Sequence, residues 1–141
     1  MSPVNRTSHA VYDLKYHFVW IPKYRKMILT EAIVERVEEI FREVAEIYEF
    51  EIQTMAVVVE DHVDIFLSAP PKYAPGEIVR ILKSRSAKAV FKEFPEVKRK
   101  LWAGEFWSDE YFVRTVGDQV TTEIIRRYIE YHNSKQLAFD F

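Results

Sequence analysis

The chain has 141 residues, 48% of them hydrophobic, 15% aromatic and 30% charged, which suits one domain (1–141) with a sizeable core and is too short to divide comfortably into two. Twenty basic residues against 22 acidic leave a net charge of −2, so bulk electrostatics is silent about a nucleic acid partner, and the lack of cysteine excludes both a disulfide framework and a thiolate zinc site. No window approaches the roughly 18 uncharged apolar residues of a spanning helix, and polar and charged residues stand where an export signal needs its apolar centre, so the expected location is the cytoplasm, away from membranes.

Residues 11–21, VYDLKYHFVWI, are aromatic and β-branched and are closed by Pro22, which predicts a strand. The basic stretch PKYRK follows. Thr30 is placed to cap a helix in which Ile33, Val37, Ile40, Val44 and Ile47 recur at helical spacing opposite Glu35, Glu39, Arg42, Glu43 and Glu46. EIQTMAVVV (51–59) and HVDIFLSA (62–69) are two apolar runs separated by Glu60 and Asp61, the pattern of a hairpin with an acidic turn.

Pro75 suits the first turn of a second helix carrying Ile78, Val79, Leu82, Val90 and Phe91, and Pro95 stops it. In LWAGEFWSDEYFVRTVG, Gly104 is positioned to turn the chain between two aromatic strands. A last helix is expected over about 119–133, followed by a loosely held tail at about 134–141. The order strand, helix, strand, strand, helix, strand, helix predicts an α+β, ferredoxin-like (βαββαβ) antiparallel sheet with helices on one face. That fold hosts many chemistries, so function has to come from the site.

Alternate side chains on a strand share a face, so His62 and Asp64 point the same way while Val63 turns into the core. Two donors at that spacing can grip one ion. On the last helix Tyr128 and His132, four residues apart, stack on one face, within an apolar stripe of Val120, Ile124, Ile125 and Ile129. The blander reading makes His62 a turn residue, Asp64 a solvated strand residue, and Tyr128 and His132 interface aromatics. Against it, Asp64 lies within an apolar strand, where an unpartnered carboxylate is costly. Without cysteine, a metal would sit on His, Asp, Glu, Gln or backbone oxygen, which favours harder ions.

The ordered blocks YHFVWIPKYRK, EDHVDIFLSAPP, IVRILKSRSAK, FWSDEYFVRTVG and EIIRRYIEYH resemble the single-tyrosine HUH transposases of the TnpA type, which move insertion sequences as single-stranded DNA. The resemblance runs from about Tyr12 to His132. In that family a His-hydrophobic-His motif on a central strand binds a divalent ion. A tyrosine on the last long helix attacks DNA, and a glutamine four residues later completes the metal site. Position by position, the resemblance implies that Tyr128 is the nucleophile and His62 the first histidine. Asp64 stands in place of the second histidine and His132 in place of the glutamine. Mg²⁺ or Mn²⁺ accepts such a set.

The implied reaction is metal-assisted cleavage and rejoining of single-stranded DNA at insertion-sequence ends through a 5′-phosphotyrosine. The resemblance further implies recognition of end hairpins and a homodimer whose active sites can be shared between subunits. The basic residues Lys23, Arg25 and Lys26 beside Tyr24, and Lys83, Arg85 and Lys88 beside Ser84 and Ser86, are candidate DNA contacts, since cations meet phosphates and rings stack on bases; the alternative for each patch is a solvated face. Three other readings are open. One is a catalytically impaired or domesticated relative that binds hairpin single strands without cutting. Another is a non-catalytic binder laid out like an RNA recognition motif, whose aromatic signature is missing. The third, a non-haem iron site, is suggested by two histidines and one carboxylate.

Overall fold

The computed structural model describes residues 4–23, 29–59, 61–101 and 104–116. In chain order these form β1 (Asn5–Arg6), β2 (Val11–Tyr12), β3 (Lys15–Trp20), α1 (Glu31–Tyr48), β4 (Glu51–Val57), β5 (Val63–Ser68), α2 (Pro75–Glu93), α3 (Pro95–Lys100) and β6 (Phe112–Val116). Four strands make one sheet in the order β4-β5-β3-β6, with every neighbouring pair antiparallel. Because β5 lies between β3 and β4, the unit β3-α1-β4 is a split βαβ, and the whole is the expected ferredoxin-like α+β fold.

The helices form where the periodicity placed them. Thr30 Oγ1 accepts from the Ile33 amide at 3.4 Å at the start of α1. That helix ends through Glu49, held in the left-handed region at φ 64°. At the start of α2, Pro75 fills the first turn and the Glu77 carboxylate accepts from the Ala74 amide at 3.0 Å. Pro95 ends α2 and also opens α3, since its fixed φ suits a first turn.

Tyr16, Phe18, Trp20, Val63, Ile65 and Leu67 point from β3 and β5 into one core with Ile33, Val37, Ile40, Phe41 and Val44 of α1 and Ile78, Val79, Leu82 and Val90 of α2. Each large side chain buried there contributes about 1.5–3 kcal/mol. Trp20 meets Phe41 and Trp107 edge-on, at 5.8 and 6.0 Å between centroids. The opposite side of the strands is also buried at His17, Asp64, Phe66 and Ser68. The middle of the sheet is therefore covered on both faces.

Two local expectations are corrected. The strand expected over 11–21 is broken: Val11–Tyr12 pairs back onto Asn5–Arg6 as a separate ribbon, and β3 begins only at Lys15. Asp13 sits in the break as ion-pair partner of Lys15. Of the two aromatic strands expected on either side of Gly104, the one after it starts only at Phe112, Trp107 making a single bridge to Pro22, and residues 102–103 of the one before it lie outside the described residues. The cause is that α2 side chains satisfy this segment's polar groups. Lys83 Nζ donates to the Ser108 and Glu110 carbonyls at 2.7 and 3.0 Å, and Trp107 Nε1 donates to Ser86 Oγ at 2.8 Å. Gly104 does turn the chain, at φ 77°. The expected last helix and the tail lie outside the described residues.

Candidate active site

The hairpin between β4 and β5 delivers the first two candidate residues. It closes through the Val58 amide on the His62 carbonyl at 2.8 Å and the Asp61 amide on the Val58 carbonyl at 3.0 Å, which fixes the register at Val57↔Val63 and Ala56↔Asp64. Val63 enters the core, so His62 and Asp64 share the other face, as the alternation predicts. The two are in direct contact: His62 Nε2 lies 2.7 Å from Asp64 Oδ2, and both residues are 0% exposed. On the far side of the ring, His62 Nδ1 faces Asp61 Oδ2 at 3.4 Å.

A third residue, which motif reading missed, joins them. His17 on β3 is buried, and its Nε2 stands 3.3 Å from Asp64 Oδ1. Its register partner is Phe66, while Asp64 faces Val19; the two side chains are thus diagonal neighbours on one face, within reach of a ring. The signal was present as a lone histidine alternating with Tyr16 and Phe18, but only the pairing of β3 with β5 shows what it meets.

Burial alone would lower the His62 imidazole, yet its hydrogen bond to Asp64 and the charges of Asp64 and Asp61 outweigh that and raise it above the ordinary 6.5. Burial alone would raise Asp64; contacts with His17 and His62 outweigh it and hold the carboxyl below its ordinary 3.8. Below pH 6.5 the pair is therefore an imidazolium beside the Asp64 carboxylate, with Asp61 on the far side of the ring. Among the described residues Asp64 Oδ1 and His62 Nδ1 make no aligned hydrogen bond, so the 3.3 and 3.4 Å approaches are close polar contacts.

These donors, an imidazole nitrogen and a buried carboxylate, fit a hard divalent ion in type. Neighbouring ligands of an octahedral ion at about 2.1 Å lie about 3 Å apart, slightly beyond the 2.7 Å separating His62 Nε2 from Asp64 Oδ2. A bound ion would replace that hydrogen bond with two metal bonds after a shift of a few tenths of an ångström. Among the described residues no group of three or more His, Asp or Glu is disposed to hold a metal. His132, the expected third donor, and Tyr128, the expected nucleophile, lie outside the described residues.

The described basic candidates sit in different polar surroundings. Lys83 is half-buried, its amine occupied by two carbonyls and lying 6.0 and 5.5 Å from the Trp20 and Tyr111 ring centres; burial lowers its pKa, against a smaller opposing effect of Asp109. Arg85 lies on another side of α2 and donates to the Tyr48 hydroxyl at 2.9 Å. Lys88 is exposed. Lys23 pairs with Glu105 at 3.2 Å, while Tyr24, Arg25 and Lys26 lie outside the described residues. Lys83 also borders a cavity of about 360 Å³ together with Arg80, Ser84, Trp107 and Tyr111. No helix among the described residues is long and apolar enough to cross a membrane.

Comparison with known proteins agrees with this architecture. The ISDra2 transposase TnpA of Deinococcus radiodurans is 36% identical over 126 residues, which is 89% of either chain. The IS200 transposase of Salmonella typhimurium is 32% identical over 124 residues, covering 88% of this chain and 80% of that one. A crystal structure of a transposase candidate from Deinococcus radiodurans R1 superposes with a TM-score of 0.70 at 32% identity, over 90% of this chain and 96% of that one. The fold is shared at 17% identity, with a TM-score of 0.60, by a REP-associated tyrosine transposase bound to a REP hairpin, over 93% of this chain and 70% of that one. The pattern of IS200-like transposases matches residues 10–132, a span that holds His62, Asp64 and the expected tyrosine helix, and the chain belongs to that family of DNA-processing enzymes.

Proposed function

We propose that this chain cleaves and rejoins single-stranded DNA at the ends of an insertion sequence, with Tyr128 as nucleophile and a divalent ion, Mg²⁺ or Mn²⁺, held by His62, Asp64 and His132. The observation that carries the reading is the buried contact between His62, just before an interior strand, and Asp64 on it, the two residues that the resemblance aligns with the family's metal motif. When bound, the ion supplies positive charge for a non-bridging phosphate oxygen and orients the scissile bond.

The remaining chemistry belongs to the chain. A phenol with a pKa near 10 is a poor nucleophile at neutral pH, so Tyr128 needs an aligned and polarised phosphodiester. Its oxygen bonds to phosphorus while the bond to the 3′ oxygen breaks; the phenol loses its proton and the 3′ oxygen gains one. The 5′-phosphotyrosine keeps the linkage at phosphate-ester level, so a second 3′-hydroxyl can displace the tyrosine and rejoin the strand without ATP. Asp61 facing His62 Nδ1 is the carboxylate–histidine arrangement that fixes a metal-binding ring. The neighbour bound to a REP hairpin supports a folded single strand as substrate, with Lys23, Arg25, Lys26, Lys83, Arg85 and Lys88 as candidate contacts.

A homodimer with shared active sites follows from the family reading. Mixing Tyr128→Phe with His62→Ala subunits then restores some cleavage, and no rescue argues for a site made within one chain. The direct test is incubation of the protein with single-stranded hairpin DNA and Mg²⁺ or Mn²⁺. A denaturation-resistant protein–DNA adduct that disappears in Tyr128→Phe supports the proposal. The impaired-relative reading draws on one observation, that the His62 and Asp64 donor atoms are closed on each other at 2.7 Å. Hairpin binding without an adduct under either metal establishes it instead.

A further inference from the structure

We propose that His17 sets the metal selectivity of this site: by engaging Asp64 Oδ1 it leaves Oδ2 as the one carboxylate oxygen offered beside His62 Nε2. The inference rests on the metal reading given under Proposed function and adds a residue outside the expected ligand set.

Three observations carry it. First, the Asp64 carboxylate is divided between two imidazoles, with Oδ2 at 2.7 Å from His62 and Oδ1 at 3.3 Å from His17. Nε2 is the ring atom of His17 that faces the carboxylate. Second, the His17 ring is fixed: it is 2% exposed and lies edge-on to Phe112 of β6, with ring centres 6.4 Å apart. Third, β3 otherwise buries only apolar and aromatic side chains from Tyr16 to Trp20. A polar ring in such a strand is costly unless it meets a polar partner, and filling the space would need no imidazole.

The consequence is coordination chemistry. Ca²⁺ takes 6–8 oxygens at about 2.3–2.6 Å and readily uses both oxygens of one carboxylate, whereas Mg²⁺ and ions of its kind take a near-octahedral set at about 2.1 Å with one oxygen per carboxylate. With Oδ1 engaged by His17, Asp64 is a one-oxygen donor. The site therefore favours the smaller ions. His17 is a positioning residue in this arrangement: it acts on the ion through Asp64.

The test is Mn²⁺ binding to the full chain followed by electron paramagnetic resonance, with Ca²⁺ as competitor, in the wild type, His17→Phe, His17→Asn and His17→Gln. Circular dichroism confirms that each is folded. Removing a partner of a ligand costs about 10–100-fold in metal affinity, so His17→Phe weakens Mn²⁺ by that factor and narrows the preference over Ca²⁺. His17→Asn, too short to reach Oδ1, does the same and serves if the phenylalanine variant does not fold. His17→Gln places an amide N–H near the position of Nε2 and recovers most of the wild-type preference. An unchanged Mn²⁺/Ca²⁺ ratio in His17→Phe or His17→Asn overturns the inference while leaving the metal site standing. Equal loss in folded His17→Gln overturns it in favour of direct ligation by His17. A wild type that binds neither ion overturns the metal site itself, and the inference with it.

Discussion

Replacing Asp64 with asparagine keeps the volume and one acceptor oxygen but removes the charge that His62 and His17 face. Both Asp64 and His62 are fully buried, so solvent screening does not soften the change. In the metal-free wild type, His62 has a folded pKa above its ordinary 6.5. Its contribution to stability is complete below 6.5 and fades as pH rises through the folded value. Asp64, held below 3.8, contributes above 3.8 and fades only as pH falls through its own folded value. The two contributions overlap fully between 3.8 and 6.5. At about pH 5.5 the variant strands a buried imidazolium, and breaking such a pair costs about 3 kcal/mol. As pH rises through the raised folded value of His62 the ring becomes neutral, and the cost falls towards about 1 kcal/mol, that of one hydrogen bond. Urea denaturation in EDTA across a pH series from about 5.5 upward measures the difference, which should reach about 2 kcal/mol. A destabilisation independent of pH would refute the ion-pair description of this centre.

Arg36 of α1 binds Glu93 of α2 through two hydrogen bonds of 2.7 and 3.0 Å, but both groups are substantially exposed, so a double-mutant cycle should return a coupling below about 1 kcal/mol that shrinks in 1 M salt. Glu49→Gly relieves the left-handed residue that ends α1 and should raise stability by about 0.5–1 kcal/mol in chemical denaturation, since glycine's added chain entropy offsets part of the gain. Lys83→Met removes the donor to the Ser108 and Glu110 carbonyls; hydrogen exchange should accelerate in 104–111 while the strand amides of β3 and β5 stay protected. If exchange in that segment is unchanged, Lys83 does not hold it, and its amine is available to a phosphate.

Much of this molecule was legible because its strongest signals are local. Apolar spacing in α1, Pro75 and Pro95 around α2, and the two apolar runs flanking Asp61 each act through nearest neighbours in the chain, and the structure realises these elements, although Ile47, expected on the apolar stripe of α1, is exposed near the end of that helix. The shared face of His62 and Asp64 is of the same kind, following from strand alternation alone. What was missed is non-local. His17 meets Asp64 only because β3 pairs with β5, bringing together residues 47 positions apart, a register that no single-segment pattern encodes. Residues 104–111 read as strand by composition, yet their carbonyls and Trp107 are satisfied by Lys83 and Ser86 from α2, so tertiary partners replaced a ladder. Lys83 and Arg85, neighbours in the text of the sequence, are directed to different sides of one helix because two residues span about 200° of turn.

The claim at the centre of this account is that Tyr128 becomes covalently joined to a DNA 5′-phosphate when the His62–Asp64 site is loaded with its ion. Trypsin cutting after Arg127 and Lys135 isolates YIEYHNSK, which holds Tyr128 and Tyr131. Mass spectrometry of that peptide, after reaction with hairpin single-stranded DNA and Mn²⁺ and nuclease trimming, should place a 5′-linked nucleotide on Tyr128 in the wild type and on neither tyrosine in His62→Ala. A nucleotide on Tyr131, or an equal yield without His62, would contradict it.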